Sequence, residues 1–201
     1  MCGRYNLGDG NGILSEQERE AYLQRALRMK LSVRLSGDIA PTDIAPVLAP
    51  GSLHREPSLF PMQWGFAHPS RALTVINARA ETAAEKDMFA ESTISRRCLM
   101  PAAGYYEWKK DEAGKKQKVY FHTKERRLFL GGLYFRSSQR PMPAFVVLTQ
   151  EAPEEIRDIH ARMPLLFREE DAERWLNADI PYSLLLATAS KNVIAEYKVP
   201  N

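Results

Sequence analysis

A cysteine stands second in the chain, in the run Met1-Cys2-Gly3-Arg4-Tyr5-Asn6. A small residue after the initiator methionine favours removal of Met1, which would leave Cys2 with a free α-amine beside its thiol. The reference pKa of an α-amine is about 7.7–8.0 and that of a thiol about 8.5. An appreciable fraction of each is therefore nucleophilic at neutral pH without unusual tuning. A 1,2-aminothiol condenses with an aldehyde to an imine, and the thiol then closes the imine to a thiazolidine ring. No internal cysteine can do this. Taken alone, a cysteine at this position is more often incidental, because reactivity depends on its surroundings.

Three further segments carry residues suited to the same chemistry. In Ile76-Asn77-Ala78-Arg79-Ala80-Glu81-Thr82, a β-type run leads into a helix cap. Asn77 and Arg79, two apart on an extended chain, face the same way and could line one pocket with an amide and a guanidinium. In Tyr105-Tyr106-Glu107-Trp108, Glu107 lies between large aromatics, where desolvation would raise its pKa and suit it to proton transfer. In Ile159-His160-Ala161-Arg162-Met163-Pro164, a helix end pairs a titratable imidazole with a guanidinium. Each also has a plain structural reading: Asn77 as a turn residue, Glu107 as a solvated strand carboxylate, His160 as a helix cap.

Positioning these groups falls to many short elements. Ser15-x-x-Glu18 is a capping box, followed at helical spacing by Tyr22, Leu23, Ala26, Leu27 and Leu31, which predicts a helix over about 16–31. Thr82-x-x-Glu85 predicts a second, short helix running through Met88 and Phe89. Pro153 with Glu154 and Glu155 predicts a third, carrying Ile156 and Ile159 and ending near His160. A fourth is expected over about 169–177. β-type runs occupy 59–66, 73–76, 98–100, 119–122, 128–135, 144–149, 165–167 and 184–188, with Tyr105 to Trp108 joined to the next strand by a long charged turn, 109–118. Short strands with irregularly inserted helices predict a single α+β domain, with a curved, mainly antiparallel sheet or open β-barrel-like core and peripheral helices.

The 201 residues suffice for one domain with a real core. A net charge of +3 permits a polyanionic partner without demanding one. No apolar run is long enough to span a membrane, the first residues carry no secretory signal, and two distant cysteines, Cys2 and Cys98, make no disulfide framework. The chain therefore reads as cytoplasmic, and as nucleoid-associated when bound if its polyanionic partner is DNA. Histidines and cysteines lack metal-ligand spacing, and no phosphate-cradling glycine loop follows a strand, so no metal or cofactor is expected. Basic clusters at Arg96-Arg97, Lys124 and Arg126-Arg127 could extend a track for DNA, whereas Lys109 to Lys118 more readily decorates a solvated hairpin.

Taken together, Met-Cys-Gly-Arg-Tyr at the start, Trp64-Gly65-Phe66, Asn77-Ala78-Arg79-Ala80-Glu81-Thr82, Arg97-Cys98-Leu99-Met100-Pro101 leading into Tyr106-Glu107-Trp108, and His160-Ala161-Arg162-Met163-Pro164 resemble the SRAP family. These are the SOS-response-associated peptidases, also described as abasic-site processing proteins. The motifs run in family order from residue 2 to about 167. The resemblance implies one SRAP-like domain over 1–201 with a divergent tail from about 189. It implies that Cys2, freed of Met1, bonds covalently to the ring-opened sugar of an abasic site in single-stranded DNA as a thiazolidine, with possible reversal and associated autopeptidase or lyase activity. Glu107 would move the proton that opens the sugar, His160 would assist imine formation and release, and Asn77 would position Cys2. Arg4, Arg79 and Arg162 would meet the DNA, with Pro41, Trp64 and Trp108 along its path. Guanidinium groups hold phosphates bidentately, and such contacts position a strand without reading its sequence. A monomer is implied, and the sequence names no replication-fork partner.

Besides its short, divergent C-terminal segment, the chain departs from the family pattern at two places. Asp38, in Gly37-Asp38-Ile39-Ala40-Pro41-Thr42, puts a carboxylate where the family has an amide near the DNA path. After Trp64-Gly65-Phe66 the text is Ala67-His68-Pro69-Ser70-Arg71, without the tryptophans that wedge against bases. Stacking on a base contributes about 1–3 kcal/mol, so weaker DNA binding is expected. Two other functions fit the same residues: a cysteine peptidase in which Cys2 and His160 act on a substrate in trans, and a non-covalent single-stranded DNA-binding module.

Overall fold

The computed structural model describes residues 2–9, 12–51, 56–68, 70–138 and 140–197. Met1, on whose removal the Cys2 chemistry depends, and the end of the C-terminal tail lie outside the described residues. In chain order the elements are β1 (Tyr5–Asn6), α1 (Glu16–Arg28), β2 (Asp38–Ile39), β3 (Ile44–Pro50), β4 (Pro57–Trp64), β5 (Phe66–Ala67), β6 (Thr74–Val75) and β7 (Asn77–Arg79). A 3-10 helix (Ala80–Glu85), α2 (Asp87–Ser95), β8 (Arg97–Ala102), β9 (Gly104–Lys110), β10 (Lys116–His122), β11 (Leu128–Phe135) and β12 (Ala144–Glu151) follow. The last are α3 (Glu154–Arg157), β13 (Arg162–Pro164), β14 (Leu166–Phe167), α4 (Glu169–Leu176), α5 (Tyr182–Leu186) and β15 (Ile194–Tyr197).

Two sheets carry the fold. The first is antiparallel, in the order β15-β10-β9-β1-β2. The second runs β13-β12-β4-β3-β8-β11-β14, with β7 added alongside β12. Because β12 also pairs with β11, the strands β12, β4, β3, β8 and β11 close a circuit. The expected α+β domain with a curved, barrel-like core is therefore what the chain forms. Among the described residues, only β4 and β7 run parallel to β12.

Strand alternation divides the core in two. One face of the second sheet (Val47, Met62, Met100, Phe145, Val147) packs with Tyr5, Tyr105, Val119 and Phe121 of the first. Its other face (Leu48, Leu59, Leu99, Phe129, Val146) packs with Tyr22 of α1, Phe89 of α2 and Trp175 of α4. Strand β8 is thus covered on both faces, and all six of its residues are buried. That includes Arg97, whose guanidinium donates to Trp175 O and Thr93 O at 2.7 Å, Ile180 O at 3.1 Å, and Asn177 O. It caps the carbonyl ends of α2 and α4, where a cation is favoured. Arg97 is therefore a structural residue, and the expectation that Arg96-Arg97 extends a DNA track fails at that position.

Other expectations shift in detail. The Ser15/Glu18 capping box is present, with both reciprocal bonds made. Thr82, by contrast, falls inside the 3-10 helix, and α2 begins at Asp87 with no side-chain cap. Helix α3 stops at Arg157, with Pro153 as its N-cap, and leaves Ile159 and His160 in the turn beyond. The leucine run expected as a strand over 184–188 is instead part of α5 after Pro181, since leucine is a strong helix former and a short apolar run does not distinguish the two states. The charged turn is shorter than expected, because Lys116 and Lys118 already belong to β10. No helix among the described residues is long and apolar enough to cross a membrane.

Candidate active site

The N-terminal segment is stitched to β9. Tyr5 pairs with Tyr105, and the Tyr106 N–H donates to Arg4 O at 2.9 Å. Cys2 is fully buried, its Sγ in a weak 3.7 Å contact with Arg4 O. Asn77, at the start of β7, donates from Nδ2 to Cys2 O at 2.8 Å. The Asn77 Oδ1 is buried with no hydrogen-bond partner among the described residues. The backbone that presents Asn77 is held from behind: Ile76 O accepts from Trp64 Nε1 at 2.9 Å and from Val147 N at 3.0 Å.

Trp64 itself is fully buried, its ring packed against Tyr5 and, nearly parallel, against Phe145. It offers no surface to a base, so its expected DNA contact is replaced by a supporting role beneath Asn77. Gly65 follows at φ +91°, and a Cβ there would meet Thr74 Cγ2 at 2.8 Å and Ile76 Cγ2 at 2.9 Å. The Trp-Gly-Phe run is therefore a buried anchor followed by a bend that only glycine makes without strain.

Glu107 extends from β9 on the same face as Tyr105 and is 4% exposed. Burial raises its carboxyl above the ordinary value, and the nearby His160 partly opposes this. Burial also pushes the Cys2 thiol far up, with the Glu107 charge adding to the effect. The two side chains thus feel one another's charge. His160 follows α3, and its Nδ1 lies 3.0 Å from Arg162 N and 2.9 Å from Arg162 O. The Arg162 backbone thus holds the imidazole through Nδ1. Cys2, Asn77, Glu107 and His160, scattered over the sequence, are thus brought to one centre that combines a buried thiol and carboxyl with a half-buried amide and imidazole.

The expected DNA residues are differently disposed. Arg79 is exposed and makes no ion pair among the described residues. It pairs in register with Thr149 of β12. Arg162 is held bidentately by Glu81 at 2.8 and 2.9 Å and also donates to Thr149 O at 2.6 Å. Arg4 lies 3.7 Å from Asp38. Pro41 and Trp108 are half-buried, Pro41 just before Thr42, which takes the uncommon φ of 77°. Sequence reasoning missed Glu81 as the partner of Arg162 and Lys118 as a second cation beside Asp38. Glu81 lies two residues after Arg79 in the same motif, and Lys118 belongs to the alternating row Lys116, Lys118, Tyr120, His122 on one face of β10.

The sequence matches the model of the family "SOS response associated peptidase (SRAP)" over residues 1–201. It is 33% identical over 196 residues to the abasic site processing protein YedK of Escherichia coli, covering 90% of this chain and 81% of the relative. To the abasic site processing protein YoqW of Bacillus subtilis it is 30% identical over 188 residues, covering 88% and 80%. A crystal structure of a protein from Bacteroides thetaiotaomicron superposes with a TM-score of 0.77 at 19% identity, covering 98% of this chain and 91% of that one. The family match over the whole chain and the shared fold define an SRAP-type domain. The chain belongs to the SRAP family.

Proposed function

We propose that this protein processes abasic sites in single-stranded DNA by bonding to them through Cys2. The observation that carries this reading is the Asn77 Nδ2 hydrogen bond to Cys2 O, 2.8 Å long, which anchors a potential aminothiol beside a buried carboxyl of raised pKa and an imidazole. An abasic site equilibrates between a closed hemiacetal and an open aldehyde. Glu107, protonated more readily than an ordinary carboxyl, shuttles the proton that opens the ring. With Met1 removed, the Cys2 amine adds to the aldehyde carbon, and loss of water with proton transfer through His160 gives the imine. The thiol then adds to the imine carbon as its proton passes to nitrogen, which closes the thiazolidine. The same steps reversed release the strand. This bond shields the lesion, and lyase or autopeptidase steps at the same residues are part of the proposal.

A peptidase acting in trans would need the Cys2 thiolate with His160 as its base. Burial works against that state, since it pushes the thiol up. Addition by the amine first, followed by a neutral thiol, suits this environment better. The test is intact-protein mass spectrometry and a denaturing gel after incubation with a single-stranded oligonucleotide bearing one abasic site. A mass lacking Met1 and a heat-resistant shifted band, absent in Cys2→Ala, are expected. A chain lacking Met1 that forms no adduct overturns the reading.

A further inference from the structure

Asp38, the carboxylate that breaks the family pattern, sits at the centre of a ring of donors. Strand β1 lies between β2 and β9, and β9 pairs with β10, so Asn6, Tyr106 and Lys118 reach the Asp38 carboxylate from three strands. Oδ1 accepts from Asn6 Nδ2 at 2.6 Å. Oδ2 lies 3.4 Å from Lys118 Nζ and 3.7 Å from Arg4 Nη1. The Tyr106 side chain also acts on it to lower its pKa, and Lys118 Nζ stands 3.7 Å over the Tyr106 ring. Burial would raise the Asp38 carboxyl, but Asn6, Lys118 and Tyr106 outweigh it and hold it below the ordinary range. Burial and the Asp38 charge push Tyr106 up to about 12, so it remains a donor.

A guanidinium, an ammonium, an amide and a phenol around one two-oxygen anion make up the donor set that holds a phosphodiester. The ring is solvent-accessible, with the Asp38 side chain 29% exposed and those of Lys118 and Arg4 35% and 41%. It is tied to Cys2 through Arg4, whose carbonyl oxygen receives the Cys2 Sγ contact, while Tyr106, next to Glu107 in β9, faces the other side of the sheet from it. We infer that Arg4, Asn6, Tyr106 and Lys118 form a cradle for a DNA phosphate beside Cys2, and that Asp38 is its built-in competitor. A phosphate entering the cradle meets two cations already neutralised in part by an internal anion. Asp38 therefore sets how weakly the protein holds undamaged strand before the covalent step. This inference rests on the single-stranded DNA reading above.

The experiment measures binding of the Met1-free protein to a lesion-free single-stranded oligonucleotide between about 50 and 200 mM salt, alongside crosslinking to its abasic counterpart. Asp38→Asn is near isosteric, and melting curves check that it folds. It should bind several-fold tighter at the low-salt end. Its log K against log salt should steepen by about 0.7, the increment for one phosphate contact on a single strand. Adding Lys118→Gln should cancel both changes, and the gain should fall on the half-saturating DNA concentration rather than on the maximal crosslinking rate. Unchanged or weaker binding by Asp38→Asn, or a gain that survives Lys118→Gln, overturns the cradle. If the unaltered protein crosslinks while Asp38→Asn shows no gain, the cradle alone falls. If the unaltered protein neither binds nor crosslinks, the DNA reading falls and takes the cradle with it.

Discussion

Replacing Asn77 by alanine should separate the chemistry of the site from the stability of the fold. The substitution removes the 2.8 Å bond from Nδ2 to Cys2 O, leaving that carbonyl without its donor. An unsatisfied buried polar group costs about 1–3 kcal/mol. The same substitution also deletes Asn77 Oδ1, a buried acceptor with no partner among the described residues, whose removal relieves a penalty of similar size. The opposed effects leave a net change of about 1 kcal/mol or less in unfolding free energy. Crosslinking has no such compensation. Losing one anchoring hydrogen bond, about 1.4 kcal/mol, slows a positioned reaction roughly tenfold, and looser placement of the nucleophile can extend this toward about a hundredfold. Single-turnover crosslinking on abasic single-stranded DNA, followed on denaturing gels beside a urea titration, reads both quantities. A wild-type crosslinking rate in Asn77→Ala would refute the positioning argument. A loss of several kcal/mol in stability would instead make Asn77 a packing residue.

Glu107→Gln should abolish crosslinking yet stabilise the fold at neutral pH. The Glu107 carboxyl is raised by burial, so its contribution to stability is fully present below the unfolded value of about 4.3 and is lost as pH rises through the folded one. Denaturation midpoints of the two proteins should differ at pH 7 and converge in acid. Glu81 has the opposite sign: burial would raise it, but the hydrogen bonds and charge of Arg162 outweigh burial and hold it low. Its ion pair therefore stabilises above about pH 4.3 and is lost as pH falls through the folded value. Glu81→Gln should cost about 1 kcal/mol at pH 7, discounted because Glu81 is 45% exposed, and nothing in strong acid. Arg97→Met should cost about 3 kcal/mol or more in guanidinium titrations, because it strips donors from several buried carbonyls at once; a cost under about 1 kcal/mol would show that those carbonyls find other partners.

Much of the site was legible in the sequence because its residues carry local signals. Asn77 and Arg79 lie two apart at a strand end, and Glu107 alternates with Tyr105 on a strand whose inward face is apolar. The class of fold followed from the many short strands. The strand over Ile44–Pro50 was hidden by its own prolines: Pro46 faces Pro61 across the pairing with β4, where a missing donor would ordinarily argue against a strand. Trp64 read as a surface aromatic on the DNA path, but the partners that bury it, Tyr5 and Phe145, are far away in sequence. Arg97 read as one of a basic pair for the same reason. Its carbonyl partners on Asn177 and Ile180 lie some eighty residues on. Long-range pairing decided these cases, and no local pattern records it.

The convergence of distant segments on Cys2 also imposes an order in time. Cys2 leaves the ribosome 158 residues before His160 (160 − 2). At about 5–20 residues per second, that is roughly 8 to 32 seconds during which the set of neighbours is incomplete. Throughout that interval an aminothiol would be open to any free aldehyde in its surroundings. Completion of the fold, in which Cys2 is fully buried, would withdraw it from indiscriminate capture. A variant that folds slowly should therefore accumulate N-termini already consumed by small aldehydes, losing usable protein without any change at the finished site.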